Sequence, residues 1–383
     1  MSEKGVSPWM QRSLALAAKA VGVANPNPAV GCVIVDAHGQ VLGEGHTQPV
    51  GGPHAEVMAL RDAQARGHGV RGATAYVTLE PCAHFGHTPP CCDALAAAGI
   101  GKVVAALTDP NPKVAGQGFA RLRAAGITVE VGDGEMAARD LNLGFLKRME
   151  TGQPWVRAKV AASLDGHTAL LDGQSQWITG EAARTDGQRW RLRADVVLTG
   201  IGTVLADDPL LNVRLPDCVR QPHLAIVDSL LRTPPDARLW QVARRQVLIA
   251  HQSEAGLDAQ NAQALAARKR ALQALGARLL PIAPCAHGLD LAQVLQALLE
   301  ALPGAVNEVH VEAGAALNGG LLAQGLVDEW LVYLAPKMLG GGRPMAQRIS
   351  PLRALADANA GIWLAQYRVG DDLCLRVASK ASV

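Results

Sequence analysis

The sequence predicts an α/β protein built as two domains in tandem. Its 383 residues exceed what one ordinary core serves. Short apolar runs bounded by Gly, Pro and Asn alternate with longer helical stretches, the pattern of layered α/β folds. The piece "RMETGQPWV", with Gly152 and Pro154, interrupts that alternation after a helix ending near Lys147. A linker there divides the chain into residues 1–150 and 151–383.

Taken in order, the first domain reads as helix (Gln11 to Val21), strand (Val30 to Val35), helix (Ala55 to Arg66), strand (Ala75 to Leu79), helix (Cys92 to Ala98), strand (Lys102 to Leu107), helix (Phe119 to Ala125) and strand (Ile127 to Val131). In the second, strands are expected at Val156 to Ala162, Val196 to Thr199, Leu224 to Asp228, Gln246 to Ala250, Ala277 to Pro281, Glu308 to Glu312 and Glu329 to Leu334. Helices fall at Ala259 to Leu275 and Leu291 to Leu302. No internal repeat or low-complexity tract interrupts this order.

A formal net charge of +2 and an aromatic content of 3% argue against a nucleic-acid surface, because neither a basic stripe nor stacking residues are supplied. The apolar "SLALAAKAVGVA" is broken by Lys19 and reads as an amphipathic helix rather than a leader. No uninterrupted apolar run reaches about eighteen residues, so no membrane span is expected. Seven cysteines, odd in number and irregularly spaced, suit a reducing compartment and a soluble cytoplasmic protein.

Chemistry gathers in "PHAEVMAL" and "TLEPCAHFGHTPPCC". His54 and Glu56 open one helix, Cys82 follows a strand, and Cys91 opens the next helix, where the helix dipole favours a thiolate. One imidazole and two thiolates make a three-ligand tetrahedral zinc site whose fourth corner is left for water, which zinc acidifies toward neutrality. Glu56, outside the coordination sphere, is placed to move protons. The pattern H-x-E followed by P-C-x-x-C marks zinc deaminases. Here eight residues separate the cysteines, and His84 and His87 in that longer loop are within reach of a substrate. Cys92 and Cys32 read as core residues. In the second half, "EVHVEAGAALNGGLLAQG" is a strand, a small-residue turn and a helix start, suited to a cofactor's phosphates. Its spacing is not G-x-G-x-x-G, so the residues alone leave phosphate seat and tight packing both open. "LTGIGTVLADDPLL" reads as a strand and a polar loop at a pocket mouth, or as a surface turn.

With "NPNPAVGCVI", "GEGHT", "GGPHAEV", "TLEPCAHFGHTPPCCDAL" and "DPNPKVAGQG" in the first half, and "SLDGHTAL", "SQWIT", "TVLADDPLL", "IVDS", "VEAGAALNGGLL" and "APKMLGG" in the second, the chain resembles the bifunctional deaminase/reductase family of riboflavin biosynthesis, called RibD. The resemblance implies a cytidine-deaminase-like three-layer α/β/α domain and a dihydrofolate-reductase-like α/β domain. It implies hydrolytic loss of the 2-amino group of 2,5-diamino-6-(5-phosphoribosylamino)pyrimidin-4-one on Zn2+, then reduction of the ribosyl group to ribityl by NADPH. His54, Cys82 and Cys91 match the zinc ligands and Glu56 the proton shuttle. Asn27, His46 and Glu80 match pyrimidine and ribose positions, and Asp109 and Asn111 shape the phosphoribosyl end of the pocket. His87 stands where the family commonly has a basic Arg or Lys for the substrate phosphate; a histidine there is only partly charged at neutral pH.

For the reductase, the resemblance places Ala161, Trp177, Thr203, Asp207, Ser229 and the turn Gly314, Ala315, Ala316, Leu317, Asn318, Gly319 and Gly320 at cofactor positions. Ser175, Arg191, Leu211, Arg214 and Glu312 match substrate positions, with Lys159 near the pocket. Arg191 and Arg214 supply forked donors for a phosphate, and Asp207 or a water protonates the developing oxygen. A homo-oligomer, dimer or tetramer through the C-terminal half, is implied as well. Two other readings compete. A nucleoside deaminase with a C-terminal binding domain is opposed by the SQW, VLADDP and EAG series, and an interaction module with structural zinc by the presence of three ligands rather than four.

Overall fold

The computed structural model describes residues 5–85, 89–111, 115–216, 218, 220–253, 259–285, 288–347, 352–380 and 382. The chain separates into two compact units, Met1–Pro154 and Trp155–Val383.

The first unit runs α1 (Pro8–Ala20), β1 (Gly31–Val35), β2 (Val41–His46), α2 (Ala55–Ala65), β3 (Thr74–Val77), α3 (Cys91–Ala97), β4 (Lys102–Ala105), α4 (Gln117–Ala124), β5 (Thr128–Val131), α5 (Glu135–Leu141) and α6 (Leu143–Thr151). Its sheet has the order β2-β1-β3-β4-β5; β1 is antiparallel to both neighbours, and β3, β4 and β5 are parallel. Val33 and Val35 on one face of β1 pack with Leu16 of α1. Cys32 and Ile34 on the other meet Ala55, Ala59 and Ala63 of α2. Helices therefore cover both faces, giving three layers.

Two glycines explain why β2 is not foreseen in the sequence. Gly43 and Gly45 weaken any strand signal, yet a β-carbon on Gly43 would lie 2.3 Å from the Ala59 carbonyl, and one on Gly45 would lie 2.6 Å from the Ala59 amide nitrogen. They are there because α2 lies directly on the strand. α1 begins at Pro8, earlier than the expected Gln11, because the Ser7 hydroxyl accepts the Met10 N–H and caps it.

The second unit runs β6 (Trp155–Ser163), β7 (His167–Ala169), α7 (Glu181–Arg193), β8 (Val196–Gly200), α8 (Ile201–Asp207), β9 (His223–Val227), β10 (Val247–Gln252), α9 (Ala259–Ala274), β11 (Arg278–Ile282), β12 (Pro284–Cys285), β13 (Gly288–Leu289), α10 (Leu291–Ala301), β14 (Glu308–Val311), α11 (Ala315–Ala323), β15 (Glu329–Ala335), β16 (Arg343–Pro344), β17 (Gly361–Val369) and β18 (Asp372–Ser379). A nine-stranded sheet has the order β11-β10-β9-β8-β14-β6-β15-β18-β17, parallel from β11 to β15 and finished by the antiparallel β18 and β17. The seven expected strands are present within one or two residues at each end. The hairpin β17–β18 is an addition. Its turn carries Gly370 at φ 63°, the left-handed region that glycine enters freely.

Two expectations are corrected. "LTGIGTVLADDPLL" is a strand running directly into α8, so Thr203 and Asp207 lie in a helix and not in a polar loop. Of the supposed turn, only Gly314 lies outside α11, as its N-cap, while Ala315, Ala316, Leu317, Asn318, Gly319 and Gly320 are helical. The two glycines inside this helix answer to packing. A β-carbon on Gly319 would collide with the Gln347 carbonyl, and one on Gly320 would press on Leu291.

Candidate functional site

The first site forms where α2 and α3 begin against the ends of β3 and β4. His54 is the N-cap of α2, Cys91 is the first residue of α3, and Cys82 lies in the segment that follows β3. Their ligand atoms all fall within 4.8 Å of one another. His54 Nδ1 lies 3.6 Å from Cys82 Sγ and 3.4 Å from Cys91 Sγ. Tetrahedral zinc bonds of about 2.3 Å to sulfur and about 2.0 Å to nitrogen separate such a nitrogen and sulfur by about 3.5 Å, so the donor set fits the ion. The Cys91 N–H also points at Cys82 Sγ, at 3.4 Å.

The electrostatics agree. A hydrogen bond from Cys91 and then the His54 imidazole bring the Cys82 thiol down to about 4, against the cost of burial. Cys91, sharing its proton with Cys82 and deeply buried, is pushed up. Glu56, in the first turn of α2, is only 3% exposed. Burial first, and the Cys82 charge second, raise its carboxyl to about 7, the value a group needs to both take and give a proton at neutral pH. Cys32 and Cys92 are buried.

Of the other residues expected in the first site, the half-buried Asn27 lies between α1 and β1, His46 ends β2, and Asp109 and Asn111 follow β4. Asp109 is buried and raised to about 6, first by that burial and then by Glu80, against a hydrogen bond from the Asn111 N–H. Glu80 does something its sequence position did not suggest. Its carboxylate accepts the N–H groups of Asp109 at 3.2 Å, Gly116 at 3.0 Å and Phe119 at 3.1 Å. Both oxygens are committed to the main chain, and the residue acts as a strut under the loop that carries Asp109 and Asn111. His84 is exposed, and His87 lies outside the described residues.

The second site follows the rule for parallel sheets, in which ligands meet the carboxyl ends of the strands. Ala161 lies near that end of β6, Thr203 and Asp207 follow β8, Ser229 follows β9, and Glu312 with α11 follows β14. These four strands are contiguous in the sheet. Ser175 and Trp177 follow β7, and Trp177 is 63% exposed with the Arg184 guanidinium 4.5 Å from its ring.

Arg191, expected at a substrate phosphate, is engaged within the protein. Its Nε and Nη2 hold Glu312 by both oxygens, at 2.6 and 2.8 Å, and its Nη1 donates to the Asn212 carbonyl at 2.6 Å. Arg214 is the exposed member of the pair. Its N–H is held by Gln188 and its Nη1 donates to Asn212 Oδ1. Lys159 is lowered by burial, against the pull of Glu312. The sequence reading missed His310, buried under Glu312 at 3.7 Å and kept neutral by that burial, its value down to about 3. It also missed Gln188, Gln221 and Arg245, which hold the main chain of Leu210 to Arg214 from 8 to 35 positions away.

A donor set that fits zinc in one unit, and in the other a parallel sheet whose carboxyl ends gather Ala161, Ser229, Glu312 and α11, suit a class: a two-site enzyme joining a deaminase to a reductase. Residues 4–107 match the cytidine and deoxycytidylate deaminase zinc-binding region, and residues 154–360 match the RibD C-terminal domain. The riboflavin biosynthesis protein RibD of Escherichia coli K12 is 43% identical over 382 residues, covering 96% of this chain and 98% of that protein. That of Haemophilus influenzae is 39% identical, with 97% of each chain covered. Among solved structures, Acinetobacter baumannii RibD superimposes with a TM-score of 0.82 at 42% identity, covering 97% and 98% of the two chains. A Thermotoga maritima diaminohydroxyphosphoribosylaminopyrimidine deaminase/5-amino-6-(5-phosphoribosylamino)uracil reductase gives 0.81 at 30% identity, with 97% of each covered. The chain belongs to the RibD family, the bifunctional zinc-dependent deaminases and NADPH-dependent reductases of riboflavin biosynthesis. Among the described residues no helix is long and apolar enough to cross a membrane.

Proposed function

We propose that residues 1–150 deaminate 2,5-diamino-6-(5-phosphoribosylamino)pyrimidin-4(3H)-one and that residues 151–383 reduce the product to 5-amino-6-(5-phosphoribitylamino)uracil. The observation that supports this most strongly is the pair of separations, 3.4 and 3.6 Å, between one imidazole nitrogen and two sulfurs, beside a buried carboxyl raised to about 7.

His54, Cys82 and Cys91 would hold zinc, which would supply a Lewis acid able to make water nucleophilic at neutral pH. Glu56 takes a proton from the incoming water and gives one to the departing 2-amino group, so that ammonia leaves and a carbonyl remains. Asn27 and His46 hold the pyrimidine and ribose. The Asp109 and Asn111 loop, braced by Glu80, borders the phosphoribosyl end, with His84 and His87 above.

In the reductase, NADPH would supply the hydride that converts the ribosyl group to ribityl. Ala161, Trp177, Thr203, Asp207, Ser229 and residues 314–320 border the cofactor. Gly314 leaves the first amides of α11 free to face its phosphates. Arg214 presents its fork to the substrate phosphate, and Arg191 holds Glu312 and the Leu211 loop in place. Arg214 is lowered by partial burial and then by Arg191, the mark of a cationic pocket that suits a dianion. Ser175 and Lys159 complete the substrate side.

The chain acts as a homo-oligomer, a dimer or tetramer through its C-terminal half. The outer strand β17 supports this, exposing Ile362 and Trp363 at 40% and 66%. A reducing cytoplasm suits ligands that must remain thiolates.

A coupled assay tests the reading. Supplied with the diaminopyrimidinone phosphate and NADPH, the protein should release ammonia and consume absorbance at 340 nm. After chelation it should lose ammonia release yet still oxidise NADPH when given the deaminated intermediate. Release of ammonia from cytidine instead, with no oxidation of NADPH, would sink it.

A further inference from the structure

We propose that Arg245 is a positioning residue that sets the reductase's preference for a phosphorylated substrate, by fixing the main chain beneath Arg214. The inference rests on the reading of Leu211 and Arg214 as substrate-facing.

The segment from Asp208 to Arg214 has no helix or strand of its own, yet two of its non-glycine residues sit in the left-handed region, Asp208 at φ 40° and Leu211 at φ 47°. That region crowds the β-carbon of an L-residue, so the conformation persists only where the surroundings impose it. Asp208 has a bond through its own side chain, its carboxylate accepting the Arg238 N–H at 2.8 Å. Leu211 has no polar side chain with which to stabilise itself.

Arg245 supplies what Leu211 lacks. Its Nη1 donates to the Leu211 carbonyl at 2.7 Å, and its Nη2 donates to the carbonyls of Leu210 and Leu239, both at 2.8 Å. Leu239 is fully buried in the cluster that also buries Leu211, so the guanidinium rivets the strained point to the core. Further along, Arg191 holds the Asn212 carbonyl, Gln221 holds both main-chain groups of Val213, and Gln188 holds the Arg214 N–H. Every residue from Leu210 to Arg214 thus has its main chain gripped by a side chain. Arg245 grips the two residues at the bend.

A two-pronged contact to phosphate depends on direction, so the base from which Arg214 projects must be fixed. An ammonium is a single point and cannot span three carbonyls in the way a planar fork does. The same reasoning separates phosphate recognition from hydride transfer, which Arg245 does not touch.

The experiment uses the full chain carrying Arg245→Ala or Arg245→Lys. NADPH oxidation is followed with the deaminated phosphoribosylamino substrate and with its dephosphorylated counterpart, and ammonia release from the other half reports on intact protein. For Arg245→Ala, KM for the phosphorylated substrate should rise about tenfold, with kcat and the KM for NADPH within about twofold. KM for the dephosphorylated substrate should move less than about twofold, because the wild-type advantage for phosphate is what is lost. Arg245→Lys should fall between. Equal rises for both substrates, or unchanged KM values in both variants, would overturn the proposal. Should the wild-type protein oxidise NADPH with neither substrate, the reductase reading itself fails, an outcome distinct from the failure of the Arg245 assignment.

Discussion

The deaminase centre and the reductase unit hold their charges in opposite ways. Around His54, Cys82 is half-buried and Cys91 and Glu56 are buried; the imidazole itself is the positive neighbour of Cys82 and Glu56, yet Glu56 is raised to about 7 by burial and by Cys82. In the reductase unit three glutamates are held by arginines. Glu312 is gripped by Arg191. Glu308 meets Arg157 and Arg193, and Glu329 meets Arg157 and Arg376. Arg157 and Arg376 also stack on Trp190 at 4.5 and 4.9 Å. Burial alone would raise Glu329, but Arg157 and Arg376 outweigh it and hold the carboxyl at about 2. The deaminase site is completed from outside by a metal, whereas the charges of the reductase unit are neutralised from within. Each half should therefore fail for its own reason.

The sharpest way to break this contrast is at the ligands. Cys91→Ser should abolish zinc binding and ammonia release while sparing NADPH oxidation of the deaminated intermediate, read by metal analysis and the coupled assay. Next in size is the internal network. Arg157→Met leaves Glu308 with Arg193 and Glu329 with Arg376, each buried acid short of one cation, a loss of about 3–5 kcal/mol that should lower the melting temperature of the reductase half by about 10 °C. The zinc content should not move.

Acid should distinguish the halves more gently. Glu329 has a folded value of about 2, below the unfolded value of about 4.3. Its contribution, about 3 kcal/mol, is therefore complete above pH ~4.3 and lost as pH falls toward 2. Glu329→Gln should flatten that part of the reductase unfolding curve, followed by circular dichroism. The smallest effect is expected at the brace. Glu80→Gln weakens its hold on the amides of Asp109, Gly116 and Phe119 and should raise the deaminase KM by about fivefold with zinc retained.

Much of the first site is legible in the sequence because its parts sit at the ends of local elements. His54 and Glu56 share one helix start and Cys91 opens another, so spacing alone carries the geometry. Glu80 was visible as a residue but not as a strut, since its three partners lie 29 to 39 positions away. The reductase site is less legible for the same reason. Arg191 reaches Glu312 across 121 positions, and Arg245 reaches Leu211 across 34. A guanidinium expected at a phosphate was instead committed to a carboxylate, which residue type alone cannot reveal. β2 escaped notice because its glycines serve the helix lying on it.

Glu56→Gln tests the division of labour most directly, measured for zinc, ammonia and NADPH oxidation on one preparation. The account predicts zinc retained, ammonia release down by about a thousandfold, and the intermediate still reduced at the wild-type rate. Ammonia release near the wild-type rate, or loss of both activities together, would contradict it.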